Sequence, residues 1–153
     1  MERSGEAMDP RNGRHMKYLL TGDPDFLNDV EVVRSFLEDL VEAIDMEAVD
    51  EPKVYWLPPI LENMSLDCPN DAGGVTGVVV LSTSHASIHT FPECSYAVCD
   101  VYSCKDYDPQ IPPNVMSAHF GIKTIFSTDL SYSLKYPYPL PDPVQRKKNV
   151  SGI

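Results

Sequence analysis

At 153 residues the chain is long enough for one domain with a buried core, and its net charge of −11 makes it a poor partner for nucleic acid. Most of that charge reads as a solvated surface, and it leaves a cationic substrate open. No apolar run approaches the length of a membrane span, so no membrane partner is expected either.

In chain order, residues 1–12 are polar and expected to be disordered, without a targeting signature. Residues 15–20 read as a first strand and Thr21-Gly22-Asp23-Pro24 as a turn. From residue 28 to 46 the apolar side chains Val30, Val33, Leu37, Leu40 and Ile44 recur at helical spacing, with Asn28 and Glu31 as a capping box. Glu31, Glu38, Asp39 and Glu42 occupy the other, solvated face. Residues 53–57 form a strand stopped by Pro58-Pro59, and 60–72 a loop long enough to carry function. Beyond the central segment taken up next, 105–114 is proline-rich and turn-like. A short helix is expected at 115–120, ending at Gly121, and a strand at 122–127. The tail from Tyr136 (YPYPLPDP, then Arg146-Lys147-Lys148) cannot continue a central strand and is expected as an extended arm. The domain therefore spans 13–135. Strands with one long early helix predict an α/β fold, a two-layer sandwich with a largely antiparallel sheet.

Residues 73–104 concentrate the chemistry. Apolar and β-branched runs flank Ser82-Thr83-Ser84-His85, and Pro92-Glu93 stops the second run before a third begins at Ser95. With a turn centred near Glu93 and Cys94, antiparallel pairing puts Ser84 opposite Ser103 and next to Cys104. Ser84 and His89 are an odd number apart, so on a regular strand they face opposite sides. Either they do not cooperate, or the strand is broken near residues 85–87.

The order hydroxyl–Gly–apolar run–x–Ser-His–x–x–Ile-His-Thr–aromatic–Pro-Glu, then Asp–x–aromatic–x–Cys, resembles the bacterial S-adenosylmethionine decarboxylases. These are small enzymes made as proenzymes that cleave themselves and carry a pyruvoyl group. The likeness is close over 73–104 and weaker over Gly13-Arg14-His15 and the helix that follows. It implies cleavage between Thr83 and Ser84, with Ser84 becoming the pyruvoyl group. His89 and Thr76 would assist processing, Cys104 would reprotonate the product, and Glu93 would hold the substrate ribose. It further implies S-adenosylmethionine as substrate, a product destined for spermidine synthesis, and a homodimer of processed protomers. Two departures stand out. Thr83 replaces a residue that is often glutamate, and residues 65–72 lack the aromatic side chain on which adenine stacks. Tyr55, Trp56 or Phe91 are the candidates to replace it. Asp67 and Asp71 in that loop could instead face a guanidinium or ammonium, which would favour arginine or ornithine.

Taken singly, Ser84 is an ordinary strand-end serine, His89 a sheet histidine, Cys104 a small hydrophobe and Glu93 a turn acid. Only their joint spacing outweighs those readings. His85, His89 and Glu93 repeat every four residues like helical metal ligands, but Pro92, Ile88 and Thr90 disfavour a helix, so no metal is expected. A Ser84–histidine–Asp100 hydrolase would lack the nucleophile elbow. A non-catalytic relative that keeps the fold and binds a partner is the third class. The four cysteines contain no C-x-x-C, and with no apolar leader the cytoplasm and free thiols are expected.

Overall fold

In a computed structural model of the chain, residues 13–60 and 72–131 are described. Six strands, β1 (Arg14–Thr21), β2 (Lys53–Leu57), β3 (Gly74–Leu81), β4 (Ser84–Phe91), β5 (Tyr96–Ser103) and β6 (Thr124–Asp129), form one sheet. Its order is β2-β3-β4-β5-β1-β6 and every neighbouring pair is antiparallel. Three helices, α1 (Pro24–Leu27), α2 (Val30–Ala43) and α3 (Ile111–Phe120), complete the fold. The two-layer antiparallel α/β architecture is the expected one. The expectations for residues 1–12, for 61–71 and for the tail beyond 131 lie outside the described residues.

The period-2 pattern of the strands decides what lies under the helices. Met16, Tyr18 and Leu20 of β1, Val75, Val79 and Leu81 of β3, Ala86 and Ile88 of β4, and Ala97, Cys99 and Val101 of β5 are all buried on one face. Against them α2 sets Val33, Phe36, Leu37, Leu40 and Val41, and α3 adds Met116 and Phe120. Each fully buried side chain of this size contributes about 1.5–3 kcal/mol. Gly77 sits mid-strand because a Cβ there would lie 2.9 Å from Leu37 Cδ1 and 3.1 Å from Val33 Cγ1, so its absence lets α2 sit close on the sheet.

Local chemistry corrects three boundaries. Helix α2 starts at the first residue of the apolar stripe, one residue later than a cap at Asn28 would set it, because Asp29 is the cap; its Oδ1 accepts from the Glu31 and Val32 amides at 2.8 and 3.2 Å. Helix α3 begins at Ile111, inside the stretch expected as a turn. Pro112 and Pro113 stand in its first turn, where a missing N–H costs nothing. The segment expected as a plain turn after β1 contains α1, capped by Asp23 Oδ1 accepting from the Asp25 amide.

Candidate active site

The hairpin register places the sequence-predicted residues. Pro92–Cys94 forms a 3-10 turn closed by Ser95 in the left-handed region, and His85 pairs with Tyr102 across β4 and β5. Ser84 thus sits opposite Ser103, as the spacing implied. Its Oγ accepts a hydrogen bond from the Cys104 amide at 2.8 Å, and the Cys104 thiol points toward the Ser82 carbonyl at 3.9 Å. Hydrogen bonds from Thr83, then Ser84, hold the Cys104 thiol below the usual cysteine range. Burial does the reverse to Cys99, whose thiol is pushed far up and is chemically silent. Cys94, Cys99 and Cys104 are free thiols.

Of the two alternatives left by parity, the break inside β4 is absent: pairing with β3 and β5 runs unbroken from His85 to His89. The distortion lies one step earlier. Ser82 and Thr83 are the only residues between β3 and β4, and Thr83 takes φ 59°, a region that a β-branched side chain rarely enters. Its hydroxyl donates back to the Ser82 carbonyl at 2.7 Å. Both residues are exposed, while Ser84 is nearly buried on the helix-covered face.

With β4 regular, Ser84 and His89 do face opposite sides and stand about 17 Å apart along the strand. His89 lies on the open face, where its Nδ1 is 3.1 Å from Thr76 Oγ1 on β3. Around this pair is a cleft lined by Leu57, Pro58, Gly74, Thr90 and Phe91. Glu93 is exposed in the turn that follows. The substitutes for an adenine platform divide cleanly. Phe91 borders the cleft with its ring stacked on Tyr96 at 4.6 Å, and Tyr55 neighbours Thr76 in register. Trp56 points to the helix side, its Nε1 donating to Asn28 Oδ1 at 3.1 Å, and is lost to the cleft. Asp67 and Asp71 lie outside the described residues.

The rival constellations do not assemble. The segment from His85 to Phe91 is strand, so the four-residue helical spacing of His85, His89 and Glu93 has no meaning there. Among the described residues no cluster of three or more histidine, cysteine or acidic side chains is arranged to hold a metal. Asp100 serves neither Ser84 nor His89. Its carboxylate bonds His15 Nε2 at 2.9 and 3.0 Å and lies 3.4 Å from His85 Nε2, and the Tyr102 ring stands 5.7 Å from both imidazoles. This group escaped sequence reading because it joins three strands at separations only the register reveals.

The antiparallel α/β sandwich that carries these residues has counterparts among known proteins. The family profile described as S-adenosylmethionine decarboxylase matches residues 18–131, and the chain belongs to that family. It is 33% identical over 124 residues to the S-adenosylmethionine decarboxylase proenzyme of Geobacillus sp. (strain WCH70), covering 80% of this chain and 89% of that one. Over a shorter stretch of 51 residues it is 51% identical to the proenzyme of the same name from Carboxydothermus hydrogenoformans, spanning 33% of this chain and 40% of that one. The crystal structure of the adenosylmethionine decarboxylase from Aquifex aeolicus VF5 matches with a TM-score of 0.63 at 27% identity, over 85% of this chain and 98% of that one. No helix among the described residues is long and apolar enough to cross a membrane.

Proposed function

We propose that the chain is a self-processing S-adenosylmethionine decarboxylase, cleaved between Thr83 and Ser84 and carrying a pyruvoyl group derived from Ser84. The observation that carries this reading is the pairing of Ser84 Oγ with the Cys104 amide directly behind a left-handed Thr83. A nucleophile held beside a strained peptide is what an internal acyl shift requires. Ser84 Oγ attacks the Thr83 carbonyl while the Cys104 amide fixes its direction. The Thr83–Ser84 amide bond breaks to leave an ester, elimination frees the Thr83 carboxylate, and water hydrolyses the remaining dehydroalanine to the pyruvoyl group with loss of ammonia. The pyruvoyl group, once formed, supplies the electron sink for loss of the substrate carboxylate. His89, steadied by Thr76, moves the proton during processing. The Cys104 thiol, beside the reacting residue, delivers the proton to the product carbon. Glu93 takes the ribose hydroxyls, and Phe91 with Tyr55 offers the aromatic surface for adenine, worth about 1–3 kcal/mol per stacked base. The relatives are named for S-adenosylmethionine, and nothing among the described residues favours a basic amino acid.

The working form in this reading is a homodimer. One chain keeps Ser84 and His89 apart, which supports a second copy supplying the partner histidine. The open face of the sheet exposes Leu19, Val78, Val80 and Phe126, an apolar surface that marks an interface. His89 lies in the row Tyr55, Thr76, His89, Val98, Leu19, Phe126 that crosses this face. A twofold axis through the middle of β4 lays the Ser84 end of one strand over the His89 end of its partner, with the exposed Ser82–Thr83 tip within reach.

The test is direct. Purified protein should separate under denaturing conditions into two fragments, the second carrying a hydrazine-reactive carbonyl, and should release carbon dioxide from S-adenosylmethionine. Full-length protein without that carbonyl refutes the reading. Turnover of arginine, ornithine or lysine, with none of S-adenosylmethionine, refutes the substrate.

A further inference from the structure

The run Gly13-Arg14-His15 has no part in the chemistry above, yet it presses on the corner that holds Ser84. Gly13 has φ 61°, and a Cβ there would fall 1.9 Å from the Ser103 carbonyl oxygen and 2.9 Å from Cys104 C and Cα. The Ser103–Cys104 peptide is one rigid plane. Gly13 lies against its carbonyl oxygen, and its N–H holds Ser84 Oγ at 2.8 Å. Arg14, next in the chain, is paired opposite Ser103 in the sheet, and its side chain is only 16% exposed. Its Nε donates to Asp106 Oδ1 at 2.5 Å and its Nη1 to Asp129 Oδ2 at 3.1 Å, tying the turn after Cys104 to the end of β6. A planar fork across two carboxylates fixes that turn in a way that a lysine's point charge would not.

We infer that Gly13 and Arg14 are positioning residues for the processing serine and for Cys104, acting through the single peptide plane between Ser103 and Cys104. Nothing larger than glycine can lie against that carbonyl without swinging the N–H away from Ser84 Oγ. Without Arg14 the turn carrying Cys104 loses its anchor to β6. This assignment rests on the reading of Ser84 as the cleavage serine.

The experiment follows cleavage of newly synthesised full-length chains of wild type, Gly13→Ala, Arg14→Gln, Arg14→Lys and, as a remote control, His119→Gln. The control breaks a hydrogen bond of 2.8 Å to Asp39 that joins α3 to α2, far from the corner. Misplacement of a nucleophile by a fraction of an ångström predicts cleavage slowed about tenfold in Arg14→Gln and more in Gly13→Ala, with Arg14→Lys between Gln and wild type. His119→Gln should cleave normally. The second readout is the pH profile of Cys104 alkylation by iodoacetamide, followed by peptide mass spectrometry in uncleaved chains. Loosening the corner weakens the hydrogen bonds that favour the thiolate, so the profile of Arg14→Gln moves to higher pH while that of His119→Gln stays. Wild-type cleavage with unchanged rates and profiles in the Arg14 and Gly13 variants overturns the inference, as does slowing that merely tracks lost thermal stability in all four. A wild-type chain that never cleaves defeats the function proposed for Ser84, and the alkylation profile then decides the positioning role by itself.

Discussion

The two ends of β4 are built on opposite terms. At the Ser84 end the side chain is turned toward the helices, almost closed to solvent, and its oxygen is held by one backbone amide. At the His89 end the side chain stands on the open face, beside a hydroxyl and an accessible cleft. Eight residues of regular strand carry both. The first end is finished within one chain and stores its tension in Thr83; the second is half a site, waiting for a surface to close on it. In the proposed reading the contrast separates a nucleophile set by folding from a proton carrier set by assembly.

The comparison can be broken most severely at its exposed end. His89→Ala should slow self-cleavage by about 10²–10⁴-fold, the usual worth of a positioned proton carrier, with the fold and the Cys104 amide bond intact. Time courses of fragment formation measure it, and a wild-type rate would leave the open end without a role in processing.

The buried end is sharpened by Cys104. Cys104→Ala should still cleave, because the backbone amide that holds Ser84 Oγ survives, but turnover should fall by about 10²–10⁴-fold for want of a proton donor. The thiol must be protonated to give a proton. Turnover of the wild type should therefore fall at alkaline pH as the thiol loses its proton, an alkaline limb missing from the residual activity of Cys104→Ala. Identical pH profiles for the two proteins would remove Cys104 from the chemistry.

The smallest effect concerns Thr83. A left-handed non-glycine residue costs about 1–3 kcal/mol, which glycine would release. In a Ser84→Ala background that cannot cleave, Thr83→Gly should raise the melting temperature by about 2–4 °C for each kcal/mol recovered. With Ser84 restored, cleavage should slow by a few-fold as the tension is lost. No change in either quantity would mean that the turn holds no useful strain.

Much of this contrast was legible in the sequence, for reasons that also explain the rest. The opposition of Ser84 and Ser103 followed from one turn position, and the facing of Ser84 away from His89 from simple parity. Parity leaves two options, no cooperation or a break near residues 85–87; the strand stays regular and the left-handed residue is Thr83, a position that no spacing rule marks. Pro112 and Pro113 read as breakers, since a proline's position in a helix is invisible until the helix start is known. Phe36 lay off the apolar stripe counted for α2, yet it is fully buried, because α3 covers that flank with Phe120 at 5.0 Å. Gly13 and Arg14 act on residues about ninety positions away, beyond the reach of any local pattern.

The claim that Ser84 and His89 meet only across two copies has one decisive test. Ser84→Ala and His89→Ala chains, distinguished by tags, are expressed separately and then together. Each alone should stay at full length or nearly so. Together they form mixed dimers in which the β4 end with the intact Ser84 of one chain lies over the β4 end with the intact His89 of the other, and the His89→Ala chain should be cleaved while the Ser84→Ala chain is not. Continued full-length His89→Ala protein in demonstrably mixed dimers would show that the two ends of β4 do not act on each other between copies.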